Sequence, residues 1–186
     1  MASAERSSPG GPVLIRAALP TDAPACAALT ASHWGSHDTV PCPGDAHQRW
    51  PKRYTEDIQA PDRHVVVAEL GGEVIGCGRA VYFTPPPDAP GGTAPAGWYL
   101  VGLIVRPDLR SRGIGRMLTT ARLEWIRERA DEAYYFTNVR NLASRSTHRA
   151  AGFAEVTNDF SFPGVDFVGG VGVLCRADLS VRASAT

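Results

Sequence analysis

The chain has 186 residues, of which 44% are apolar, and this fits one domain that buries its own core. Lysine plus arginine and aspartate plus glutamate number 19 each, so no net field attracts a polyanion and general nucleic-acid binding is disfavoured. No run approaches the ~20 apolar residues of a membrane helix, and the polar start of the chain lacks an apolar signal core. We therefore expect a cytoplasmic protein without a membrane partner.

The cysteines are scattered along the chain without a CxxC pair, at positions Cys26, Cys42, Cys77 and Cys175. Zinc knuckles and redox dithiols need closely spaced pairs. The spacing therefore predicts reduced, mostly buried thiols.

The first part of the chain predicts one strand and two helices. Val13–Arg16 is a short apolar strand, and Thr21-Asp22 then supplies capping side chains for a helix that runs to about Ala31. Residues 32–48 are rich in proline, glycine and histidine and predict an irregular loop. Pro51 is expected in the first turn of a second helix that ends near Gln59.

A hairpin and a long connection follow. His64–Leu70 and Glu73–Phe83 are rich in β-formers, and Gly71-Gly72 between them is a two-residue hairpin signal. Residues 84–97 contain five prolines and three glycines. This composition predicts a surface connection outside any helix or strand.

The next segment changes from the strand period to the helix period. Trp98–Val105 is apolar on both alternating faces, which predicts a central strand covered on both sides. Gly102 within it could mark a bulge or a close approach of another backbone. A helix to about Ala130 follows, with Ile114, Leu118, Ala121 and Trp125 on one face. Its other face carries Arg122, Arg127, Glu128 and Arg129.

The last third predicts strand, helix and two closing strands. The strand is Tyr134–Val139, the helix is Asn141–Ala151 with Gly152 as its stop signal, and the closing strands are Phe153–Phe160 and Val168–Arg176. The element order β-α-α-β-β-β-α-β-α-β-β predicts a mixed α/β domain.

We expect the folded domain to span residues 13–178. Residues 1–12 predict a disordered leader, and residues 179–186 predict a tail.

The segment that carries chemistry joins the central strand to the amphipathic helix and reads Val105-Arg-Pro-Asp-Leu-Arg-Ser-Arg-Gly-Ile-Gly115. Backbone N–H groups at a helix start, the helix dipole and glycines without a Cβ together form an anion site. Arg110, Arg112 and Arg116 add full positive charges around the same loop. The sequence therefore predicts that this loop binds a phosphate or pyrophosphate.

Three interpretations of the glycine loop compete. A Walker A loop requires Lys-Ser/Thr after the second glycine, but Arg116-Met117 follow Gly115. A Rossmann fingerprint requires a small residue where Leu118 stands, and a location after the first strand. A plain turn with solvated arginines is the alternative when the loop is taken alone.

The loop is accompanied by other motifs. The pattern V-x-P-x-x-R-x-x-G-x-G is followed downstream by N-x-x-S-x-x-x-H-x-x-x-G-F, which is formed by Asn141, Ser144, His148, Gly152 and Phe153. Together with the Ile15-Arg16-Ala17-Ala18 opening before Asp22 and the ELGGEVIGCG hairpin, these motifs resemble the GNAT superfamily of N-acetyltransferases. The resemblance covers about Val13 to Arg176. It implies a single α/β domain whose central mixed, mostly antiparallel sheet is flanked by helices.

The resemblance also implies a cofactor and a reaction. The loop would wrap the pyrophosphate of acetyl-coenzyme A (acetyl-CoA), and the end of the central strand would pair with the pantetheine arm. The implied cofactor-binding residues are Leu103, Ile104, Val105, Arg110, Ser111, Arg112, Gly113, Ile114, Gly115, Arg116, Asn141, Ser144 and His148. A primary amine of a small molecule or peptide would attack the thioester directly, without a metal. The protein would be a monomer or a homodimer.

His148 stands where the family commonly has a tyrosine that protonates the leaving thiolate. A histidine of pKa ~6.5 would be only about a quarter protonated at pH 7, whereas a tyrosine would be almost fully protonated. His148 could act as the general acid, as a hydrogen-bond donor to sulfur, or in no chemical role. The general base is open, because the central strand carries no acidic residue. Glu69, Asp38, Asp45 and Glu56 are candidates, and ordered water or buffer is the alternative.

Residues 32–48 also contain metal-ligand types, namely His33, His37, Asp38, Cys42, Asp45 and His47. Proline and glycine interrupt the segment and no ligand spacing is standard, so a loop that shapes the acceptor cleft, or a solvated loop, is favoured over a structural metal. Trp34, Trp50 and Tyr54 could line that cleft or pack against the sheet.

Two rival functions remain. The missing strand carboxylate and the replaced tyrosine are compatible with a catalytically degenerate acyl-CoA-binding domain that senses or scaffolds. The loop arginines are also compatible with transfer of a larger acyl group.

Overall fold

The computed structural model describes residues 11–35, 46–167 and 171–180. Its helices and strands are β1 (Leu14–Ala17), α1 (Ala23–Gly35), α2 (Ala46–Gln59), β2 (Arg63–Leu70), β3 (Glu73–Phe83), β4 (Gly97–Val105), α3 (Ile114–Arg127), β5 (Glu132–Asn138), α4 (Leu142–Arg149), β6 (Ala154–Thr157) and β7 (Gly172–Asp178). This is the predicted order. The predicted hairpin is also present, and both Gly71 and Gly72 have the positive φ that such a turn needs.

The strands form one seven-stranded sheet in the order β1-β2-β3-β4-β5-β7-β6. Neighbours are antiparallel except for β4 and β5, which run parallel, so the predicted mixed, mostly antiparallel sheet is confirmed. β3 and β4 pair over most of their length, whereas β4 and β5 share the single pair Tyr99 and Tyr134. The second half of β4 therefore turns its β5-facing backbone edge towards a gap.

β4 carries a bulge at Gly102. Cys77 of β3 opposes Ile104 and Arg79 opposes Val101, so β4 has one more residue than β3 across this interval. Gly102 has φ +62°, a conformation that favours glycine. The irregularity suggested by a glycine inside an apolar strand is therefore a real bulge, and it lies beside the gap.

Helices cover both faces of the sheet. α1 and α2 contribute Cys26 and Tyr54 to a cluster with Cys77 and Ile104 on one face. α3 covers the other face through two further clusters, to which it contributes Ile114, Leu118, Leu123 and Ile126. A strand buried between two helical layers has the continuous apolar pattern seen in β4.

Both N-terminal helices are longer than predicted. α1 continues to Gly35 and α2 begins at Ala46. Both ends of the predicted 32–48 loop are therefore helical, and the prediction of a loop was wrong there. Pro51 lies inside α2 instead of in its first turn, where it removes one backbone donor. Residues 36–45 lie outside the described residues.

The segments near the C-terminus also differ from the prediction. Residues 84–97 are not wholly a surface connection, because Ala94 is buried and its N–H donates to Ser161 O at 2.9 Å. β6 is confined to Ala154–Thr157, and β7 begins at Gly172, with residues 168–170 outside the description. Leu179, one residue beyond the predicted domain end, is buried in the core.

Arg122 was predicted on the exposed face of α3, but it is fully buried. Its guanidinium donates to Leu118 O at 3.1 Å, Arg79 O at 3.2 Å and Thr119 Oγ1 at 3.2 Å. It lies against β3 at Gly78, where an added Cβ would come within 2.9 Å of the Arg122 Cζ. Burial lowers the pKa of Arg122 to about 9, so the side chain is still charged at neutral pH. Gly78 has no side chain, so it leaves room for the Arg122 guanidinium between α3 and the sheet. The periodicity of the helix does not reveal this room.

We expect Gly78→Ala to lower the free energy of unfolding by about 1–3 kcal/mol, because the new Cβ overpacks against Arg122. For a chain of this size, each 1 kcal/mol lowers the Tm by roughly 2–4 °C in thermal denaturation. Gly91→Ala is the matched control, since nothing lies within 4 Å of its added Cβ. The contact is not tight if both variants melt alike, or if Arg122→Ala does not relieve the penalty in a double-mutant cycle.

Candidate active site

A short 3-10 turn, Pro107–Leu109, follows β4 and begins the glycine loop. The Arg106 N–H donates to Ile75 O at 2.8 Å, which ties the start of the loop to β3. Two residues then adopt positive φ, Ser111 at +60° and Gly113 at +81°. These turns bring the chain to the start of α3 with Gly113 as its N-cap.

The amides at the start of α3 face open space. The first hydrogen bond of the helix runs from Met117 N–H to Gly113 O at 3.0 Å, so the N–H groups of residues 114–116 have no acceptor within the helix. An added Cβ at Gly113 would meet nothing within 4 Å, and at Gly115 the nearest atom is Leu103 Cδ2 at 3.8 Å. Free amides at a helix start with room in front of them suit an anion such as a phosphate.

The three predicted phosphate-binding arginines belong to this loop and to the first turn of α3. Arg110 Nε donates to Val105 O at 3.1 Å, and its Nη2 lies 3.5 Å from Nδ1 of His33. Arg112 is exposed, and so is Arg116, which lines a surface cavity of about 590 Å³ along α3. The loop therefore concentrates positive charge although the chain as a whole is neutral.

The end of β4 presents its backbone to the gap. The Leu103 and Val105 side chains pack into the cluster under α3, whereas Ile104 packs under α1 and α2. These side chains are therefore committed to the two faces of the sheet. What the strand offers along the gap is a row of backbone N–H and C=O groups, which fits the predicted pairing with an extended ligand.

Asn141, Ser144 and His148 come together along α4. Asn141 is the N-cap, and its Oδ1 accepts the Ser144 N–H at 3.1 Å. Ser144 Oγ lies 3.4 Å from Nδ1 of His148. The motif spacing thus places the three polar residues on one side of the helix that follows β5.

His148 is only 3% exposed and is held between aromatic rings. It stacks on Tyr135 of β5, with centroids 3.8 Å apart, and meets Phe153 edge-on at 5.5 Å. Its Nδ1 lies 2.9 Å from Ser144 O, and a carbonyl only accepts, so Nδ1 carries the hydrogen. Burial, followed by the positive charge of Arg122, lowers the pKa of His148 to about 4.

His148 is therefore a neutral side chain at neutral pH. Its Nε2 bears a lone pair, is buried and has no hydrogen-bond partner among the described residues. Such a group accepts a hydrogen bond, so the geometry does not support the acid and donor roles considered from the sequence.

The candidate general bases do not meet at β4. Glu69 pairs with Arg16 at 2.8 Å on β2, which β3 separates from β4. Glu56 is exposed on α2. Asp38 and Asp45 lie outside the described residues.

The sequence pattern did not point to a buried ion pair that lies beside the bulge. Asp57 of α2 accepts from Arg79 Nη1 at 2.6 Å and from Arg63 Nη1 at 2.5 Å. An added Cβ at Gly102 would lie 3.3 Å from both Nε and Nη2 of Arg79. The signal was the spacing of Tyr54 and Asp57, three residues apart and both buried on the inner face of α2.

The described residues also bear on the predicted metal, membrane and cysteine features. Within residues 11–35, 46–167 and 171–180, no group of three His, Cys, Asp or Glu side chains is arranged around a metal position. Much of the ligand-rich segment, with His37 and Cys42, lies outside that part of the chain, and only the backbone is described for Trp34 and His47. In the same described ranges, no helix has the length and apolar content needed to cross a bilayer. The described cysteines, Cys26, Cys77 and Cys175, are buried and unbridged.

The model of the acetyltransferase (GNAT) family matches residues 32–153, about two thirds of the chain. The chain belongs to this family. The resemblance inferred from the motifs is therefore confirmed, and the GNAT protein is an acyltransferase by class. A search of curated proteins found no match.

Solved structures show the same GNAT fold. The ribosomal-protein-alanine N-acetyltransferase from Brucella melitensis is 24% identical with a TM-score of 0.68, and the alignment covers 89% of this chain and 99% of that one. The yncA acetyltransferase structure from Salmonella typhimurium with acetyl-CoA is 19% identical with a TM-score of 0.69, covering 95% and 99%. The ribosomal-protein-S18-alanine N-acetyltransferase from Escherichia coli is 16% identical with a TM-score of 0.61, covering 94% and 98%.

The low pKa of His148 makes the stability of this GNAT protein depend on pH. Between the unfolded pKa of 6.5 and the folded value of about 4, the unfolded chain binds a proton that the folded chain does not. The stability contribution is thus fully present above pH 6.5 and is lost as the pH falls to about 4, by up to about 3 kcal/mol.

We expect His148→Phe, which keeps a ring against Tyr135, to lose less Tm than the wild type between pH 7 and about pH 4.5, measured by thermal denaturation. His64→Phe is the control, because His64 also has a pKa lowered by burial but is only half-buried, stacked on Trp125. Its effect on the pH dependence should be smaller. If His148→Phe loses as much Tm at acid pH as the wild type does, the pKa of His148 is not lowered by folding.

Proposed function

We propose that the protein is an acetyl-CoA-dependent N-acetyltransferase, in which a primary amine attacks the thioester directly. The observation that carries this proposal is the gap between β4 and β5, which leads from the bulge at Gly102 to the open amides at the start of α3. An extended thioester arm fits along such a strand edge, and its phosphates fit at the helix start. The yncA structure from the same fold was solved with acetyl-CoA.

The residues present fit the acyl donor. The amides and side chains of residues 110–116 would hold the pyrophosphate, and the backbone of residues 103–105 would pair with the arm. Asn141 and Ser144 would contact the arm from α4. A backbone N–H beside the bulge at Gly102 would donate to the thioester carbonyl oxygen, where negative charge develops. A fixed donor in a partly dry site stabilises that charge well.

The reaction requires a neutral amine. An amine of pKa about 10.4 is in its free-base form in roughly one molecule in a thousand or two at neutral pH. The new bond joins the amine nitrogen to the carbonyl carbon, the carbon–sulfur bond breaks, and coenzyme A leaves as its thiolate. In the described part of the chain, the carboxylate beside the bulge is Asp57, which is bound by two arginines. We assign the removal of the amine proton to water.

His148 would act on the product side of this reaction. Because its Nε2 carries a lone pair, it would accept a hydrogen bond from the S–H of coenzyme A once the leaving thiolate has taken up a proton from water. This reverses the direction of the hydrogen bond that a tyrosine would make at the same place.

The acceptor belongs to the class of primary amines on small molecules or peptides. Structures of this fold include ribosomal-protein-alanine N-acetyltransferases and an aminoglycoside 6'-acetyltransferase. Proteins with this fold are therefore named both for protein acceptors and for a small-molecule acceptor.

We expect Gly113→Ala to weaken acetyl-CoA binding at least tenfold, measured by titration calorimetry. The methyl group would enter the space in front of the helix amides, and an alanine at φ +81° strains the turn. Gly92→Ala is a matched control, because it has φ +82°, nothing within 4 Å of its added Cβ, and a position in the 84–97 connection. Both variants should lose similar Tm, and only Gly113→Ala should lose affinity. If the two variants bind acetyl-CoA with equal affinity, this loop does not bind the phosphates.

A thiol-release assay with an amine panel separates the enzyme from a degenerate acyl-CoA-binding domain. An enzyme frees coenzyme A only when an acceptor is present, whereas a sensing or scaffold domain binds acetyl-CoA without turnover. Competition among acetyl-, propionyl- and succinyl-CoA tests transfer of a larger acyl group.

We expect His148→Gln to lower kcat by less than tenfold at saturating acetyl-CoA, because a neutral histidine does not supply general-acid catalysis. Loss of a true general acid costs about 10² to 10⁴ in rate. His64→Gln, at the half-buried stack of His64 on Trp125, controls for loss of an imidazole. A fall in kcat of a hundredfold or more for His148→Gln alone would restore the acid role.

A further inference from the structure

Arg122 carries a positive charge inside the domain, and no carboxylate among the described residues balances it. The residue is fully buried, and its guanidinium donates to two carbonyl oxygens and a hydroxyl. A buried charge without a counter-charge costs free energy. Negative charge that develops nearby during a reaction offsets part of that cost.

Hydrogen bonds hold the Arg122 guanidinium in one orientation. Its Nη2 donates to Thr119 Oγ1 at 3.2 Å, and this hydroxyl donates in turn to Gly115 O at 2.8 Å. Its Nε donates to the carbonyl oxygen of Leu118, one turn earlier in α3. A charge that is fixed before the reaction stabilises a transition state without having to reorient.

The guanidinium lies one strand away from the bulge of β4. It packs against Gly78 of β3, where an added Cβ would come within 2.9 Å of the Arg122 Cζ. The strand register places Gly78 opposite the bulged residues Gly102 and Leu103. Because neighbouring strands are about 4.8 Å apart, the cation is close to the point where the proposed function places the thioester carbonyl.

Arg122 also lies on the face of the sheet that α4 covers. α3 contributes Leu123 and Ile126 to the cluster that contains Tyr135, and His148 stacks on Tyr135. After burial, the positive charge of Arg122 is the next cause of the low pKa of His148. The proposed function places the sulfur at His148 Nε2, so the cation is near both atoms on which negative charge develops.

Two other ionisable groups act on Arg122, namely Arg79 and Cys77. Arg79 is bound to Asp57 at 2.6 Å, so a carboxylate balances its charge. Cys77 belongs to the cluster on the opposite face of the sheet, under α1 and α2. Its thiol is the alternative source of negative charge for Arg122, and a Cys77 variant therefore belongs in the test.

We propose that Arg122 stabilises the negative charge that develops on the thioester, and that this buried cation replaces a general acid in this chain. The inference rests on the proposed N-acetyltransferase function. As the amine nitrogen bonds to the carbonyl carbon, negative charge collects on the carbonyl oxygen. When the carbon–sulfur bond breaks, its electron pair stays on sulfur. Arg122 contacts neither atom and acts on both through its charge, which is effective where water is excluded.

Arg122→Met removes the charge and keeps a long apolar side chain. We expect kcat for thiol release, measured at saturating acetyl-CoA with an accepted amine, to fall at least tenfold. The Kd for acetyl-CoA should change less than threefold. Arg122→Lys keeps a charge and should recover part of kcat. Arg127→Met is the matched control, because it removes an exposed arginine from the same helix and should leave kcat unchanged.

Arg122→Met is expected to fold, because replacing a buried charge by an apolar side chain is often neutral or stabilising, and its Tm is measured alongside. Wild-type kcat in Arg122→Met, or an equal loss in Arg127→Met, overturns the proposal. Cys77→Ala should keep kcat within threefold of the wild type. A tenfold loss in Cys77→Ala would mean that Arg122 is balanced by this thiol, and that outcome also overturns the proposal.

The pKa of the thiol in bound coenzyme A provides the second readout. Calorimetric titration gives the Kd of coenzyme A and of desulfo-coenzyme A, which lacks the sulfur, at pH 6.5 and pH 8. A thiol whose pKa is lower in the complex than its free value of about 8.5 loses its proton on binding, so coenzyme A alone gains affinity as the pH rises. We expect this relative affinity to rise at least threefold in the wild type, and to stay constant or fall in Arg122→Met.

This second measurement needs no acceptor amine. A constant or falling relative affinity in the wild type overturns the proposal, and so does an equal rise in Arg122→Met. If neither coenzyme A nor desulfo-coenzyme A binds, or if no amine in a broad panel releases thiol from acetyl-CoA, it is the N-acetyltransferase function that fails.

Discussion

The structure depends on β4 being paired along most of one edge and at only one residue pair along the other. Its edge towards β3 is satisfied by a nearly continuous ladder, whereas its edge towards β5 is free after the Tyr99 and Tyr134 pair. Buried backbone groups require partners, so a free edge in the middle of a sheet is costly unless a ligand or water fills it. The bulge at Gly102 adds to the irregularity at the same place. The loop that follows then delivers the start of α3, with its unpaired amides, to the end of the gap.

Charges inside this fold are compensated in two different ways. Arg122 is fully buried with no carboxylate partner among the described residues, and it is held by two carbonyl oxygens and a hydroxyl. Asp57 is buried and is surrounded by arginines. The positive charge of Arg122 opposes protonation of His148, which is one reason, after burial, why that histidine is neutral. Burial, followed by the charge of a residue on the neighbouring helix, thus keeps His148 neutral.

Periodicity and motif spacing were sufficient for the element order, the bulge and the glycine loop, because these follow from local sequence. They failed where the burial or the pKa of a side chain depends on residues that are distant in sequence and pack against it. Arg122 looked solvent-facing because its helix position says nothing about Gly78 beneath it. The roles of His148 were left open because its pKa depends on burial against Tyr135, which its position in the sequence does not show. The buried ion pair of Arg79 and Asp57 was not predicted, because the two residues are 22 positions apart in the sequence.

Among the described residues, the backbone ladder joins β1–β4 to β5–β7 at the single pair Tyr99 and Tyr134. Side chains join the two parts more broadly, because two apolar clusters contain residues of both and α3 packs against both. A molecule that binds in the gap adds its binding free energy to the stability of the whole folded chain. Ligand occupancy then slows the exchange with solvent of those amide hydrogens that exchange only through global unfolding.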